Sequence, residues 1–359
     1  MGPLTLALSH QGRGYSQTAW YNFFSLGGRG LGCGVKTNSM IKEQDIYGAG
    51  MEIMSSAAID IPEDYRQGLR GMLDEEEEEL SRFVLMSMLD NWEAAEDDRR
   101  AMCADTGVPR YFVKIGNEAQ IDGGPIALER ALRRATADAT HSIPLRPNRV
   151  HPLSREDNNN NVGINAPEIE YSFEPDGDWI DVTTVHKGGL FGTDYRMLFP
   201  GDGIDGIKRF FLDVMYEFGR RGLACQPAIV GIGLGGSKDI SVTLGKQAAC
   251  LRTVGDRNPD PMIAALELEL KEMGNNIGMG PMGFVGKSMV IDCHIEVGYT
   301  HTGGMPMSVH SFCLSSRRAV ARLHPNGTVE YRTNPEWFTP YMRRDTVEWS
   351  TTETAQAAV

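Results

Sequence analysis

The stretch Ala224-Cys225-Gln226-Pro227-Ala228-Ile229-Val230-Gly231-Ile232-Gly233-Leu234-Gly235-Gly236-Ser237 decides what kind of fold this chain adopts. Ala228 to Ile232 has the short apolar texture of a buried strand, and Ser237 opens a helix that runs to about Cys250. A glycine-rich turn between a strand and a helix serves two chemistries. It can cradle the pyrophosphate of a dinucleotide, and Asp256, twenty residues beyond Gly236, sits where such a fold holds a ribose. It can equally let backbone amides approach a metal cluster, or a carboxylate at a helix N-terminus. Three features weigh against the nucleotide. The strand lies deep in the chain, Asp256 belongs to a turn with Arg257-Asn258-Pro259, and Cys225 has no part in a nucleotide fold.

Cys225 is one of three cysteines with distinctive surroundings. Cys103 lies in Cys103-Ala104-Asp105-Thr106-Gly107, and Cys313 in Ser311-Phe312-Cys313-Leu314-Ser315-Ser316-Arg317-Arg318. Turn-forming or cationic neighbours put each thiolate near a surface cleft with amide or guanidinium partners. A cysteine without such a context is most often a small core residue; Cys250 and Cys293 are given that role, and Cys33 none. Three thiolates suit three irons of a four-iron cluster and leave the fourth iron an open position, where it acts as a Lewis acid. Structural zinc is the other metal option, but it favours closely paired ligands, and these cysteines stand on the order of a hundred residues apart.

The contexts recur in a fixed order: Cys-x-Asp-Thr-Gly at Cys103, Pro144-Leu145-Arg146-Pro147-Asn148, Glu267-Leu268-Glu269-Leu270, Gly278-Met279-Gly280-Pro281-Met282-Gly283, and Cys313 followed by Arg317-Arg318. From about Ile61 to about His324 this series resembles the α subunit of the iron–sulfur (class I) fumarate hydratase and L-tartrate dehydratase family. Arg257-Asn258-Pro259-Asp260-Pro261 through Leu270, and His294-Ile295-Glu296 after Gly286, are more similar to the two-subunit tartrate dehydratase type. The resemblance implies a [4Fe-4S] cluster on Cys103, Cys225 and Cys313. It also implies Asp105 beside substrate and cluster, and Arg146 as a carboxylate clamp, a task that suits the guanidinium fork. Lys187, Gly188 and Gly189 match a loop that offers a cation and backbone amides to a carboxylate. His301, in Tyr299-Thr300-His301-Thr302, matches a histidine that contacts substrate. Asp105 and His301 are therefore the expected catalytic pair, positioning a hydroxyl or shuttling a proton, while His294 and His310 are expected to be ordinary histidines.

The same resemblance implies a hydro-lyase whose base for the carbon-bound proton comes from a separate β domain or subunit. An obligate β partner in an α2β2-type oligomer is expected. Ala104 stands where the family usually has Gln, Leu190-Phe191 replace a third glycine and a serine, and Cys-Leu-Ser-Ser-Arg-Arg replaces Cys-Trp-Ala-x-Arg-Arg. These departures bear on the identity of the substrate more than on the chemistry.

Bulk properties set limits. The 359 residues, 41% of them hydrophobic, suffice for one large domain or two small ones. With 48 acidic against 35 basic residues the net charge is −13, which excludes nucleic acid as a partner because phosphate binding needs clustered cations. No apolar run is long enough for a membrane span, and six cysteines without close pairing point to a reducing, cytoplasmic setting. Residues 1–39 contain no Asp or Glu and are rich in Gly, which predicts a disordered or mis-started extension with Met40 or Met51 as alternative starts. A transit peptide is the lesser reading, since only Arg13, Arg29 and Lys36 are basic there. Residues 40–340 are expected to form the hydro-lyase α domain and 341–359 a frayed tail.

Patterning predicts an α+β fold: an N-terminal helical segment followed by mixed β-sheets covered by helices. Helical text begins at Asp60, with Pro62 in a first turn. The acidic run Asp74 to Glu79 reads as a solvated helix start ahead of Leu80, Phe83, Val84, Met88 and Trp92. A strand is expected at Tyr111–Ile115 and a helix at Pro125–Ala139. Ile169, Tyr171 and Phe173, the turn Pro175-Asp176-Gly177, and Ile180, Val182 and Thr184 predict a hairpin. Further helices are expected from Ile204 to about Gly219 and from Pro261 to about Met273, and strands at Val290–Val297 and Met307–Phe312. The functional alternatives are a fumarate hydratase α subunit, a nicotinamide-dependent oxidoreductase using the Gly231–Gly236 turn, and a non-catalytic cluster-binding subunit.

Overall fold

The computed structural model describes residues 39–143, 145–188, 193–222, 225–314 and 317–336, all within a unit that begins at Ser39. The expected extension before Ser39 and the expected tail lie outside the described residues, as does Gly189.

Two sheets separate three layers of helices. The first sheet has the order β2-β1-β3-β8-β9, from β1 (Val108–Gly116), β2 (Glu168–Glu174), β3 (Ile180–Lys187), β8 (Arg318–Leu323) and β9 (Val329–Arg332). The second has the order β4-β7-β5-β6, from β4 (Thr193–Leu198), β5 (Ala228–Gly235), β6 (Val290–Gly298) and β7 (Met305–Phe312). Helices α1 (Glu43–Ile59) and α4 (Gly124–Ser142) cover the outer face of the first sheet through Ile46, Ile53, Leu128 and Leu132 against Tyr111, Val113, Val182 and Ala321. Helices α5 (Gly203–Arg221) and α7 (Pro261–Asn275) cover the outer face of the second through Phe211, Val214 and Leu270 against Val230, Ile232 and Ile295. The middle layer is α2 (Glu63–Glu75), α3 (Glu79–Asp97) and α6 (Lys238–Leu251), and its core joins Phe112 and Val185 of one sheet to Ile229, Ile291 and Phe312 of the other. The α+β class expected from the patterning is the one found.

The close fit of α6 on β5 explains the glycines of the opening stretch. Side chains alternate across a strand, so Val230, Ile232 and Leu234 point to the outer core while Gly231 and Gly233 face α6. A Cβ on Gly233 would stand 1.8 Å from the Ser241 carbonyl oxygen, and one on Gly231 would stand 2.2 Å from the Ala249 amide nitrogen. Both glycines lie inside the strand, and the turn itself is made by Gly235 and Gly236 at φ +88° and +70°. The fingerprint spacing thus arises from helix–strand contact, not from a phosphate-binding turn.

Two expectations are corrected. The strands β2 and β3 do not form a hairpin: β1 lies between them, parallel to β2 and antiparallel to β3. The turn that joins them instead wraps the end of β1, with Gly116 N, Asn117 N and Glu118 N donating to the Trp179, Glu174 and Gly177 carbonyls. The acidic run is not one helix start. α2 stops at Glu75, α3 begins at Glu79, and Glu76 between them is only 2% exposed. Its carboxylate accepts from Ser288 Oγ at 2.6 Å and from the amides of Lys287, Glu77 and Glu78. Burial pushes its pKa up, but these donors outweigh burial and hold it below the usual carboxylate value. Glu76 therefore latches the α2–α3 corner to the 287–288 segment.

Candidate active site

The layered fold brings chain segments from both sheets together at one end of β5. Cys225 precedes β5 and Cys313 follows the antiparallel β7, with Ile229 opposite Phe312, so the two cysteines meet at the same sheet end. The Leu314 amide donates to the Cys225 carbonyl at 3.0 Å. Cys103, on the segment between α3 and β1, reaches the same place: burial raises the Cys225 thiol pKa, and the charges of Cys313, Cys103 and Asp105 raise it further, opposed by the Arg317 guanidinium. Cys225 is exposed, Cys103 half-buried and Cys313 buried, so the group opens toward solvent on the Cys225 side.

Asp105 is held in place on both its ends. Its Oδ1 accepts from the Gly107 amide at 3.0 Å and from Asn148 Nδ2 at 2.9 Å, and its carbonyl accepts from Arg317 Nη1 at 2.8 Å. Asn148 also donates to the Gly107 carbonyl at 2.7 Å, so one amide group clamps the turn. Thr106 Oγ1 accepts from the Arg146 amide at 2.9 Å, and Asn161 Nδ2 donates to the Arg146 carbonyl at 3.1 Å. This fastens the backbone of Arg146 beside Asp105 and leaves its side chain exposed.

Gly188 closes the other side. Its Cα is so near the cysteines that a Cβ would lie 2.9 Å from Cys313 Sγ and 3.1 Å from Arg317 Nη2. Lys187 is 3% exposed and donates from Nζ to the Ser311 carbonyl at 2.7 Å. Burial pulls its pKa down, partly offset by the thiols of Cys250 and Cys313. It thus anchors the end of β3 behind Cys313. Cys250 and Cys293 are fully buried in the cores, in line with their expected packing role.

His301 is placed differently. It follows β6, whose parallel partner β5 carries Cys225 at its start, and the Thr300 hydroxyl donates to the Gly236 carbonyl beyond the end of β5. The eight residues of β5, roughly 26 Å of strand, therefore lie between the turn that holds His301 and the end where Cys225 and Cys313 meet. His301 is exposed in a turn, where its Nδ1 accepts from the Gly303 amide at 3.0 Å.

The donor set suits an iron–sulfur cluster. Three thiols from distant segments converge beside the bare backbone of Gly188, where an added Cβ would crowd Cys313 Sγ, and two buried donors beside them, Arg317 Nε and Gln226 Nε2, lack a partner among the described residues. Such N–H groups are what cluster sulfides or a substrate carboxylate accept from. No three His, Cys, Asp or Glu side chains among the described residues are grouped to hold a single metal ion. Sequence reasoning did not assign Asn148, Thr106, Gln226 or Arg317 a role in the site, although all four stood in the quoted motifs.

The chain belongs to the fumarate hydratase (fumerase) family of hydro-lyases, whose sequence description matches residues 49–322. A Methanocaldococcus jannaschii protein provisionally named L(+)-tartrate dehydratase subunit alpha is 38% identical over 281 residues, which cover 76% of this chain and 95% of that protein. The L(+)-tartrate dehydratase subunit alpha of Escherichia coli K12 is 31% identical over 273 residues, covering 75% of this chain and 88% of that subunit. That of Shigella sonnei is similar to the same extent. Among the described residues, no helix is long and apolar enough to cross a membrane.

Proposed function

We propose that this chain is the α subunit of a [4Fe-4S]-dependent hydro-lyase that removes water from a small 2-hydroxy dicarboxylate, in the manner of L-tartrate going to oxaloacetate. The observation that carries the reading is the convergence of Cys103, Cys225 and Cys313 at one sheet end, against the bare backbone of Gly188. When bound, a cluster on these thiols would supply Lewis-acid coordination of a substrate oxygen at the iron without a protein thiolate.

The remaining work falls to this chain's own groups. Asp105, oriented by Gly107 N and Asn148, holds or moves the proton of the departing hydroxyl. Arg146, fastened by Thr106 and Asn161, clamps a substrate carboxylate with its exposed guanidinium. Gly188 and Gly189 offer backbone amides, and Lys187 supports that strand end from behind. His301 lies outside the site of its own copy, so a catalytic part for it requires a second copy in an α2β2-type assembly. A separate β subunit supplies the base that takes the carbon-bound proton. Six cysteines, with the five described ones all free, suit the reducing cytoplasm.

The test is anaerobic purification of the chain alone and with its β partner. A brown, iron- and sulfide-containing protein that turns over only with the partner is expected, and Cys225→Ser is expected to lose both colour and turnover. Full activity of the isolated chain would refute the division of labour. Retained activity in Cys225→Ser would refute the site. The family description matches fumarate hydratases while the named relatives are tartrate dehydratase subunits, so a panel of L-, D- and meso-tartrate, malate and fumarate decides the substrate.

A further inference from the structure

Helix α3 is amphipathic in an unusual way: its inner face is packed, yet its outer face is also apolar. Leu80, Phe83 and Met86 are 55%, 65% and 50% exposed, at three-residue spacing that puts them on one stripe. Met282, Phe284 and Val285, in the turn after α7, are 50%, 43% and 71% exposed. The two groups adjoin, because Ser81 Oγ donates to the Val285 carbonyl at 2.6 Å. Six large apolar side chains brought together at a surface mark a contact site.

The position of this patch is informative. The turn is tied to the Cys225 segment by the Met282 amide, which donates to the Gln226 carbonyl at 3.2 Å. The far half of α3 is tied to the Cys103 segment by Asn91 Nδ2, which donates to the Met102 carbonyl at 2.9 Å. One end of the apolar surface is thus a single hydrogen bond from the Cys225 segment, and α3 runs from its other end to the Cys103 segment. Around it stand the exposed carboxylates of Glu75, Glu78 and Glu79, together with Glu77, which pairs with the exposed Lys287 at 3.2 Å. Two copies of this chain facing each other through the patch would juxtapose these like charges, which is unfavourable at an interface. A different chain with an apolar centre and a basic rim fits.

We infer that the surface formed by α3 and the 282–285 turn is the docking face for the β-type subunit, which covers the rim of the cysteine site and brings its base there. This rests on the two-subunit reading proposed above. The experiment is co-purification and titration of the full chain with the β-type subunit of the same source, for wild type, Phe83→Arg, Val285→Arg and, as a control on the α1/α4 side, Ile164→Arg at a residue 91% exposed. Phe83→Arg and Val285→Arg are expected to weaken binding at least tenfold and Ile164→Arg to leave it unchanged, with the iron content of all four equal. Rising salt is expected to weaken the wild-type complex. Absence of any wild-type complex would overturn the two-subunit reading itself. A wild-type complex that both variants form equally well would overturn the docking face alone. So would variants that break self-association of this chain while still binding the β-type subunit.

Discussion

The backbone of Gly188 lies against the thiol of Cys313, so that a single added methyl group would stand 2.9 Å from the sulfur. The same methyl would stand 3.1 Å from Arg317 Nη2, on the guanidinium that reaches the Asp105 carbonyl through Nη1. Gly188 has no left-handed backbone angle, so alanine brings no backbone strain and acts only by crowding. Gly188→Ala is expected to keep the fold by circular dichroism, to lose most of its iron and sulfide, and to fall at least tenfold in activity, about 1.4 kcal/mol of transition-state stabilisation. An alanine variant with full iron content would show that the contact is tolerated and that the cysteine site is less tightly framed than described.

Gly233 separates the hydro-lyase from the nucleotide reading by a stability measurement. Its missing Cβ leaves room for the Ser241 carbonyl and the Gly245 amide, which would lie 1.8 Å and 2.6 Å from an added methyl. Both are backbone atoms of α6, so relief requires moving a helix that also packs on β6 and β7. Such overpacking costs about 1–3 kcal/mol or more. Gly233→Ala is expected to lower the unfolding midpoint by several degrees or to prevent soluble expression, and the wild-type chain is expected to show no saturable binding of NAD or NADP. Tight dinucleotide binding by the wild type would contradict the packing role.

Legibility in the sequence followed the range of the interactions. The strand and helix around Gly231–Gly236 were readable because a short apolar run, glycines and a following amphipathic stretch are all local signals. The β2–β3 pairing was misread because both strands alternate correctly, yet nothing local reveals that β1 inserts between them. Helix α1 escaped notice because its packing relies on small residues, as at Gly50, where a Cβ would meet that of Ala135 at 2.8 Å; such a helix shows little polar–apolar contrast. The cysteines stood out by their neighbours, whereas Asn148 clamps Asp105 across 43 positions of sequence. Glu76 looked like one more carboxylate in a solvated run because its partners lie near position 288.

Three buried histidines make the fold sensitive to acid. His186, His294 and His310 are each fully buried. Burial lowers the pKa of His186 to about 3, with Arg317 adding to the effect, and lowers that of His294 to about 3 despite the opposing charge of Asp292. His310 is likewise held well below its ordinary value by burial, with Lys187, Lys246 and Arg110 adding to the shift. In the unfolded chain each titrates near about 6.5, so below that pH the unfolded state binds protons that the folded state refuses. Stability present above about pH 6.5 is therefore lost as the pH falls, at about 1.4 kcal/mol per pH unit for each histidine. Glu296 acts the other way. Burial raises its pKa to about 7, partly opposed by Arg252, so the folded state takes up a proton there before the unfolded state does. Burial also raises the pKa of Glu267, which acts in the same direction as Glu296, but the three histidines outnumber these two carboxyls and the balance below about pH 6.5 is a net loss on acidification. Urea unfolding under anaerobic conditions at pH 7.5, 6.5 and 5.5 is expected to give falling free energies. His294→Gln, neutral throughout, is expected to reduce that slope by about one proton. A slope unchanged in His294→Gln would mean that this ring is already protonated or solvated in the folded chain.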